Sequence, residues 1–411
     1  MNLLFVNKFF WRKGGSEAVY FDEMALLQSH GHRVVPFSMQ DPRNLPSDYS
    51  RYFVSHIDYD RPDPIQKLRA AGRIIYSLEA RRRMARLLRE QAIDIAHFHI
   101  FQHQISPSVF GPLRHAGVPL VLTLHDLKPL CPNYLMYTQG RVCEACKDQR
   151  FYNCVRYRCT KGSRAGSLVN TVEMYLHHAL GYYRQVDRYI AVSRFYRNKM
   201  IEYGFPESQI TYIPNFVDTQ RFAFAGKDAG YGVYIGRLSA EKGLKTLLDA
   251  CERAPEIPIK IVGTGPMEQY LKAETERRRL ANITFCGYKT GNELTELLSA
   301  ASFSVLPSEW YENCPMSVLE SLSVGTPVIG ADSGGIPELI EHGEDGLHFP
   351  PGDTEALAER MRHLWASREQ RLAMGRAGAE KIRTDFTAER HYEQLRMLYA
   401  SLTPEHRKQG T

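Results

Sequence analysis

Two glutamates, Glu312 and Glu320, stand in a stretch whose pattern predicts a strand, a loop and a helix. Residues 303–306 form a short apolar run typical of a buried strand, and apolar residues at helical spacing follow Pro315. Ionised carboxylates accept hydrogen bonds from vicinal hydroxyls, such as those of a ribose or a hexose. The two glutamates therefore indicate a sugar or nucleotide site, although a surface loop with one solvated helical glutamate explains the same spacing.

A second unit of this kind carries two cations, Arg237 and Lys242, between the apolar run 231–235 and a helical pattern that starts at Leu244. The arginine offers a planar fork of donors and the lysine a point charge, and both suit a diphosphate. Two solvated surface cations are the alternative interpretation.

In the amino-terminal half, His125 directly follows the apolar run 120–124. Open α/β sheets bind ligands at the carboxyl ends of their strands, so we expect His125 to face a ligand. Gly14 and Gly15 lie between the first predicted strand, at residues 3–7, and the first helical pattern. They indicate a loop that lets backbone approach an anion at a helix N-terminus, whereas a plain tight turn is the alternative.

A cluster of cysteines follows, with Cys143, Cys146, Cys154 and Cys159 at spacings that allow a tetrahedral zinc site. The chain around them is polar and basic, with few residues that could form a core, so it needs a staple to hold a fixed shape. Reduced thiols without a metal are the alternative. Four thiolates leave no open coordination position, so a metal bound there would be structural.

Composition is ordinary for a globular protein, with 411 residues, a hydrophobic fraction of 43% and a charged fraction of 24%. No apolar run reaches the length of a membrane-spanning helix and no signal-peptide pattern is present, so we expect a cytoplasmic enzyme. The formal charge of +6 fits an anionic substrate or an acidic membrane surface. Arginine-rich helical patterns at 65–91 are either solvated basic faces or a peripheral contact with an anionic inner leaflet.

Strands alternate with helices along the chain, which predicts parallel, doubly wound sheets. Both halves share one plan, in which a strand leads through a glycine-containing basic loop into a helix. We therefore expect an α/β fold with two facing Rossmann-like domains and an interdomain cleft. The predicted domains are an amino-terminal one at 1–215, with a cysteine-rich insert at 131–165, and a carboxy-terminal one at 216–386.

The stretch around the two glutamates resembles the Glu-x7-Glu signature of the retaining glycosyltransferases of family 4, which have the GT-B fold. Residues 236–243 resemble the family's Gly-Arg-x-x-x-x-Lys-Gly motif, 262–266 its Val-Gly-x-Gly-Pro motif, and 214–218 its interdomain Pro-Asn-x-Val-Asp turn. The GT-B fold also implies that the last helical pattern, 387–402, packs back onto the first domain. The signature is carried in the family's order by Pro307-Ser308, Glu312, Pro315, Leu319-Glu320, Gly325-x-Pro327-Val328 and Gly334-Gly335-x-Pro337-Glu338.

The resemblance implies that four residues are catalytic, namely His125, Glu312, Arg237 and Lys242. The two cations would neutralise a departing nucleoside diphosphate, Glu312 and His125 would hold the sugar, and Glu320 would hold the ribose. No catalytic metal is expected. The implied donor-binding residues are Gly14, Gly15, Arg237, Lys242, Gly263, Gly265, Tyr288, Glu312, Asn313, Cys314, Pro315, Met316 and Glu320.

These features predict a retaining glycosyltransferase that moves a sugar from a UDP- or GDP-sugar to a glycan or lipid-linked acceptor, in cell-surface polysaccharide synthesis. A nucleotide-sugar epimerase or another GT-B enzyme would share the donor motifs and need no acceptor. A binding protein that reads RNA or a lipid headgroup through a zinc knuckle would use the cysteines and their neighbouring arginines. The cationic loop and the glutamate pair favour the transferase over both alternatives, and nucleic acid is not expected as a partner.

Overall fold

Two six-stranded parallel sheets follow one another along the chain, and helices cover both faces of each. The computed structural model describes residues 1–57 and 64–403, with side chains described throughout except at 64–69. The first residues of the basic stretch at 65–91 therefore lie outside the described side chains. The architecture confirms the predicted α/β fold with two Rossmann-like units.

In the first unit the sheet is built from nearly continuous apolar runs, as expected for strands buried on both faces. Its strands are β1 (Asn2–Val6), β2 (Arg33–Phe37), β3 (Ile95–Phe98), β4 (Leu120–Leu124), β5 (Tyr137–Thr138), β6 (Arg141–Val142), β7 (Arg188–Ala191) and β8 (Ile210–Tyr212). Its helices are α1 (Gly15–Ser29), α2 (Pro64–Ile75), α3 (Leu78–Glu90), α4 (Phe110–His115), α5 (Asn153–Arg156), α6 (Arg164–Ala179) and α7 (Arg194–Glu202). The sheet order is β2-β1-β3-β4-β7-β8, and β5 and β6 pair separately as an antiparallel hairpin.

The second unit has the sheet order β11-β10-β9-β12-β13-β14 once its strands are numbered along the chain. These strands are β9 (Gly232–Ile235), β10 (Ile259–Val262), β11 (Ile283–Gly287), β12 (Phe303–Leu306), β13 (Val328–Ala331) and β14 (Gly346–Phe349). The helices are α8 (Leu244–Arg253), α9 (Glu268–Arg278), α10 (Gly291–Ser299), α11 (Met316–Val324), α12 (Thr354–Ala366), α13 (Arg368–Asp385) and α14 (Ala388–Leu402).

Helix α14 leaves the second unit and packs on the first sheet. Leu395 and Tyr399 share an apolar layer with Leu3 and Phe5 of β1, and the Tyr399 hydroxyl lies 2.7 Å from Nδ1 of His97 in β3. The chain therefore crosses between the two units a second time. Among the described residues, every helix is too short or too polar to cross a bilayer.

Direct hydrogen bonds also join the two units. The Glu338 carboxylate accepts from the backbone N–H groups of Arg194 at 2.7 Å and Phe195 at 2.5 Å, at the start of α7. An acidic group at this position stabilises a helix N-terminus. Asn215 Nδ2 donates to the carbonyl of Cys314 at 2.8 Å, close to the first chain crossing.

Candidate functional site

Two loops meet at the carboxyl edge of the second sheet, where the strand order reverses between β9 and β12. An open α/β sheet forms its ligand crevice at such a switch point. The loop after β9 carries Lys242 and the loop after β12 carries Glu312. Lys242 Nζ lies 2.6 Å from Glu312 Oε1, so the structure brings together two residues that separate motifs predicted.

The carboxylate of Glu312 is held from two sides. Ser308 Oγ donates to the same Oε1 atom at 2.5 Å, and the Glu312 side chain is only 3% exposed. An ammonium group has three N–H donors, so its pairing with Glu312 leaves Lys242 able to meet an anion as well.

The loop that carries Glu312 is pressed against residues 333–335. A Cβ at Gly335 would stand 1.8 Å from the carbonyl oxygen of Asn313, so a larger residue would force the two loops apart. Asn313 Nδ2 in turn donates to the backbone carbonyl of His125 at 2.8 Å, across the boundary between the units. The paired glycines of the signature thus hold the loop against the amino-terminal side of the cleft.

Arg237 is exposed, and in the described part of the chain its guanidinium forms no hydrogen bond or ion pair. Burial lowers the pKa of Lys13, and the positive charge of Arg237 lowers it further, so these two cations approach each other from opposite units. Gly263 supports the arginine loop, because a Cβ there would stand 1.9 Å from the carbonyl oxygen of Gly236. Gly265 follows in the same turn, where it lies against the backbone of Leu238.

On the amino-terminal side, His125 lies just beyond β4 and is 8% exposed. Its Nε2 is 2.9 Å from Nδ1 of His99. Burial disfavours the imidazolium and lowers the pKa of His125 to about 4. The ring is therefore neutral near pH 7. Because Nε2 already contacts His99, Nδ1 is the ring nitrogen left to donate or accept a hydrogen bond with a ligand.

Behind His125 lies a buried acid that the sequence did not single out. Glu23 of α1 places Oε1 3.1 Å from His97 Nδ1 and 3.8 Å from His99 Nε2. These three groups set potential metal-ligand atoms within 4.8 Å of one another. Both ring nitrogens of His97 are already hydrogen-bonded, to the hydroxyls of Tyr399 and Thr123, so we interpret the group as a support for His99 and His125.

The other predicted donor residues follow strands or precede helices in the two units. Gly14 and Gly15 are exposed at the start of α1, and Tyr288 is 58% exposed beyond β11. Cys314 and Pro315 are buried before α11, which begins at Met316 rather than at the proline.

Glu320 of α11 faces Arg221 and Asp22, the latter on α1. Burial raises the pKa of Glu320 to about 7. In the described residues its carboxylate has no hydrogen bond or ion pair, so the acceptor capacity of this carboxylate is unused.

In the cysteine-rich segment, Cys131 and the four predicted zinc ligands line one small cavity of about 10 Å³. All five thiols are free of disulfides. Among described residues, no three of their sulfurs lie within 4.8 Å of one another, so a metal would require the thiols to change rotamer. The segment also reaches the loop after β12, since the Glu144 carboxylate accepts from the Tyr311 hydroxyl at 2.7 Å, next to Glu312.

Lys13, Glu23, Ser308 and Tyr134 are the further residues that the structure places at or behind the cleft. Tyr134 is 39% exposed with a φ of 59°, and its pKa is raised by burial and by Asp126 but lowered by Arg237. Lys13 stands beside the glycine loop in the sequence, where a cation suits the anion that the loop was expected to meet. Nothing local marks Glu23, because its partners are far away in the sequence.

Fold and site together define a two-unit α/β protein of the GT-B type, with a crevice suited to an anion and to hydroxyl groups. The profile of Glycosyltransferase Family 4 matches residues 13–221, and that of Glycosyl transferases group 1 matches residues 218–381. The chain belongs to glycosyltransferase family 4.

Named relatives act in polysaccharide synthesis. The chain is 28% identical over 227 residues to the amylovoran biosynthesis glycosyltransferase AmsK of Erwinia amylovora, which covers 52% of this chain and 56% of AmsK. It is 30% identical over 189 residues to the O-antigen chain mannosyltransferase C of Escherichia coli. The match covers 45% of this chain and 51% of that mannosyltransferase. The chain thus spans about half the length of the curated relatives it matches.

Solved structures share the fold over nearly the whole chain. Sucrose-phosphate synthase from Thermosynechococcus elongatus matches with a TM-score of 0.75 and 18% identity, covering 98% of both chains. HepE of Anabaena, solved in complex with UDP, matches with a TM-score of 0.69 and 17% identity, covering 98% of this chain and all (100%) of HepE. At these identities the likeness establishes the GT-B fold.

Proposed function

We propose that this protein is a retaining glycosyltransferase that uses a UDP- or GDP-sugar and a glycan or lipid-linked acceptor. The observation that carries the proposal is the convergence of Lys242, Glu312 and the uncommitted Arg237 at one switch point. Relatives named for amylovoran and O-antigen synthesis support a role in cell-surface polysaccharide assembly. The UDP bound to HepE supports a nucleotide-sugar donor.

In the proposed reaction, the bond between the anomeric carbon and the diphosphate oxygen breaks. The acceptor oxygen bonds to that carbon on the same face, and its proton passes to the departing diphosphate. Negative charge develops on the diphosphate, where Arg237 and Lys242 stabilise it. Preorganised groups at such a position usually supply the largest single catalytic contribution. The scheme needs no catalytic metal.

The remaining site residues orient the donor. Glu312 accepts a hydrogen bond from a sugar hydroxyl while Lys242 and Ser308 hold its carboxylate in place. The neutral ring of His125 supports the sugar from the opposite unit. Glu320 accepts from the ribose hydroxyls once it is ionised. Closure of the cleft would exclude water, which otherwise hydrolyses the donor.

A nucleotide-sugar screen tests the donor. Thermal unfolding of the purified protein is measured with each UDP- and GDP-sugar, because a ligand that binds the folded state raises the melting temperature by mass action. We expect a shift in the wild-type protein that is lost in an Arg237→Ala, Lys242→Ala variant. A double variant that transfers sugar at the wild-type rate would contradict the assignment.

The products separate the candidate reactions. NMR of the new glycosidic bond reports whether the anomeric configuration is retained. Isomerisation of the donor in the absence of any acceptor would instead identify an epimerase or a related GT-B enzyme. Steeply salt-dependent RNA binding without turnover would identify a binding protein.

We also propose that Cys143, Cys146, Cys154 and Cys159 bind a structural zinc ion. Cys131 lines the same cavity but donates its thiol to Asn133 Oδ1 at 2.9 Å, which leaves the other four. Backbone strain supports the need for a staple, because seven of the ten described non-glycine residues with positive φ lie in this segment. They are Tyr134, Met136, Gln139, Asp148, Gln149, Arg158 and Lys161.

Elemental analysis of the reduced protein tests the zinc proposal. We expect about one zinc per chain, lost in a Cys143→Ser, Cys146→Ser variant and retained in the control Cys286→Ser, whose thiol lies in β11. Zinc-free protein of unchanged thermal stability would reject the proposal.

A further inference from the structure

Helix α6 exposes most of its apolar side chains and buries mainly polar ones, with Met174 as the buried apolar exception. An ordinary surface helix does the reverse. Five apolar residues at helical spacing, on the helix and at its end, are between 38% and 59% exposed, and Tyr152 beside them is 55% exposed. They are Leu168, Val172, Tyr175, Leu176 and Leu180. The buried side carries Ser167, Asn170, Thr171, Glu173, Met174 and His177.

Buried polar contacts fix this orientation. Glu173 forms an ion pair with Lys128 at 2.7 Å, and both side chains are at most 1% exposed. His177 Nε2 lies 2.8 Å from the carbonyl oxygen of Ile75, and His178 Nε2 lies 3.0 Å from that of Pro129. Rotating the helix to bury its apolar side would leave the buried Lys128 without its partner, which is strongly unfavourable.

The exposed charges of residues 149–186 are all positive, and Arg150 at one end lies 3.9 Å from the exposed Asp148 just outside this stretch. The sequence from residue 149 to residue 186 has one acidic residue, Glu173, which is buried and forms its ion pair with Lys128. The same stretch carries six exposed cations, Arg150, Arg156, Arg158, Lys161, Arg164 and Arg184.

Helix α3 lies in the arginine-rich stretch that the sequence offered as an alternative membrane contact, but its charges differ from those around α6. Arg83 pairs with Glu79 and Arg86 with Glu90, so part of its positive charge is neutralised within the helix. Leu78 is the exposed large apolar residue at its start.

We propose that the exposed side of α6, with Tyr152 and the neighbouring cations, is a docking surface for an anionic lipid bilayer. Apolar and aromatic side chains would enter the interface while lysine and arginine meet anionic headgroups. Self-association through this side would instead bring the cations of two copies together. Charge complementarity therefore favours the bilayer over a second copy of the chain.

The buried side of α6 is tied to the segment that carries His125. Lys128, which anchors α6, follows His125 by three residues. A bilayer bound at α6 would thus hold a lipid-linked acceptor near the amino-terminal side of the cleft. This last step rests on the proposed function, whereas binding to the bilayer does not.

Vesicle sedimentation with the full chain and no donor tests the surface. The probes are vesicles of phosphatidylcholine alone and of phosphatidylcholine mixed with phosphatidylglycerol. We expect binding to the anionic vesicles at least about tenfold stronger than to the neutral ones, weakened by added salt. Equal binding to both vesicle types, or none to either, overturns the proposal. Transfer activity is assayed separately, so the two failures are distinguishable.

Two pairs of variants assign the binding to α6. Leu168→Ser, Leu176→Ser should weaken vesicle binding about tenfold, and the control Leu78→Ser, Met397→Ser, which changes two residues of similar exposure elsewhere, should not. The second variant, Arg158→Glu, Arg164→Glu, should weaken binding to anionic vesicles about tenfold and leave binding to neutral vesicles unchanged. Its charge-matched control is Arg82→Glu, Arg89→Glu of α3. Unchanged melting temperatures establish that the variants are folded.

Sedimentation velocity supplies the competing outcome. A wild-type dimer that Leu168→Ser, Leu176→Ser converts to a monomer, without any vesicle binding by the wild type, would show that a second copy covers α6. That result would overturn the proposal. Equal loss of vesicle binding in the α6 and control variants would overturn it as well.

Discussion

The two units share a sheet plan and differ in what their strand ends carry. In the carboxy-terminal unit, the loops after β9 and β12 bring opposite charges together as Lys242 and Glu312, with Arg237 exposed beside them. In the amino-terminal unit, the ends of β3 and β4 bring together the buried imidazoles of His99 and His125. Similar scaffolds are thus given different chemistry by their loops.

This contrast matches the two tasks of the proposed reaction. Charge develops on the diphosphate, so fixed cations are useful on the carboxy-terminal side. Sugar hydroxyls are neutral, so a neutral ring nitrogen that donates or accepts a hydrogen bond suits the opposite side. Substitutions on either side of the cleft therefore test whether the two units divide the reaction in this way.

The largest effect should follow removal of the two cations. Each lost preorganised donor raises the barrier by about 2–4 kcal/mol, so Arg237→Ala, Lys242→Ala should lower kcat/KM more than any other change considered. The matched control is Arg253→Ala, Arg376→Ala, two cations on helices of the same unit. Steady-state kinetics that show equal losses in both double variants would refute a special role for the loop cations.

His125→Ala should lower kcat by a smaller factor, about tenfold to a hundredfold, because the group positions the sugar rather than neutralising charge. His125→Gln should retain more activity, since it keeps a neutral donor and acceptor. The pKa of about 4 means that His125 is uncharged above pH 5 and adds no inflection to the pH–rate profile between 5 and 8. An inflection in that range that disappears in His125→Gln would contradict the neutral-ring assignment.

Glu320 should make donor binding pH-dependent. Its folded-state pKa is raised to about 7, so the carboxylate is protonated below that pH and ionised above it. Ribose hydroxyls donate to the ionised form, so affinity for a nucleotide sugar should rise about tenfold between about pH 6 and pH 8, with proton release at the lower pH. Calorimetry in buffers of different ionisation enthalpy measures the release. The same pH dependence in Glu320→Gln would assign it to another group.

The smallest effect concerns the contact that joins the two units. Glu338→Gln weakens the acceptor at the N-terminus of α7 and should lower the free energy of unfolding by about 1 kcal/mol. Urea unfolding of the two units, followed by separate probes, measures it. If only the second unit lost stability, the result would show that this contact does not couple the unfolding of the two units.

Much of the fold could be predicted because its signals are local. Apolar runs such as 303–306 and 120–124 became β12 and β4 with the expected limits. The first predicted strand, at 3–7, is shifted by one residue, since β1 spans Asn2–Val6. Helix α6 was not predicted. Its buried positions are mainly polar, so its pattern lacks the apolar stripe that marks a helix packed on a core.

The site was predictable in part. The two motifs predicted that Lys242 and Glu312 lie in loops at one edge of a sheet. Because the residues belong to separate motifs, neither motif could predict that they form an ion pair. Their ion pair depends on which strands become neighbours, here β9 and β12. Glu23 depends in the same way on contacts with a distant strand, so no local pattern could reveal its place behind His99.

Residue types and their spacing were enough to establish the alternation of strands and helices, the cationic and acidic loops, and the family resemblance, because each depends on neighbours within a few turns of chain. Only the folded chain decided that Lys242 pairs with Glu312, that His125 is held neutral, and that α6 shows its apolar side to solvent. Those properties depend on burial and on contacts between segments far apart in the sequence, which no single stretch contains.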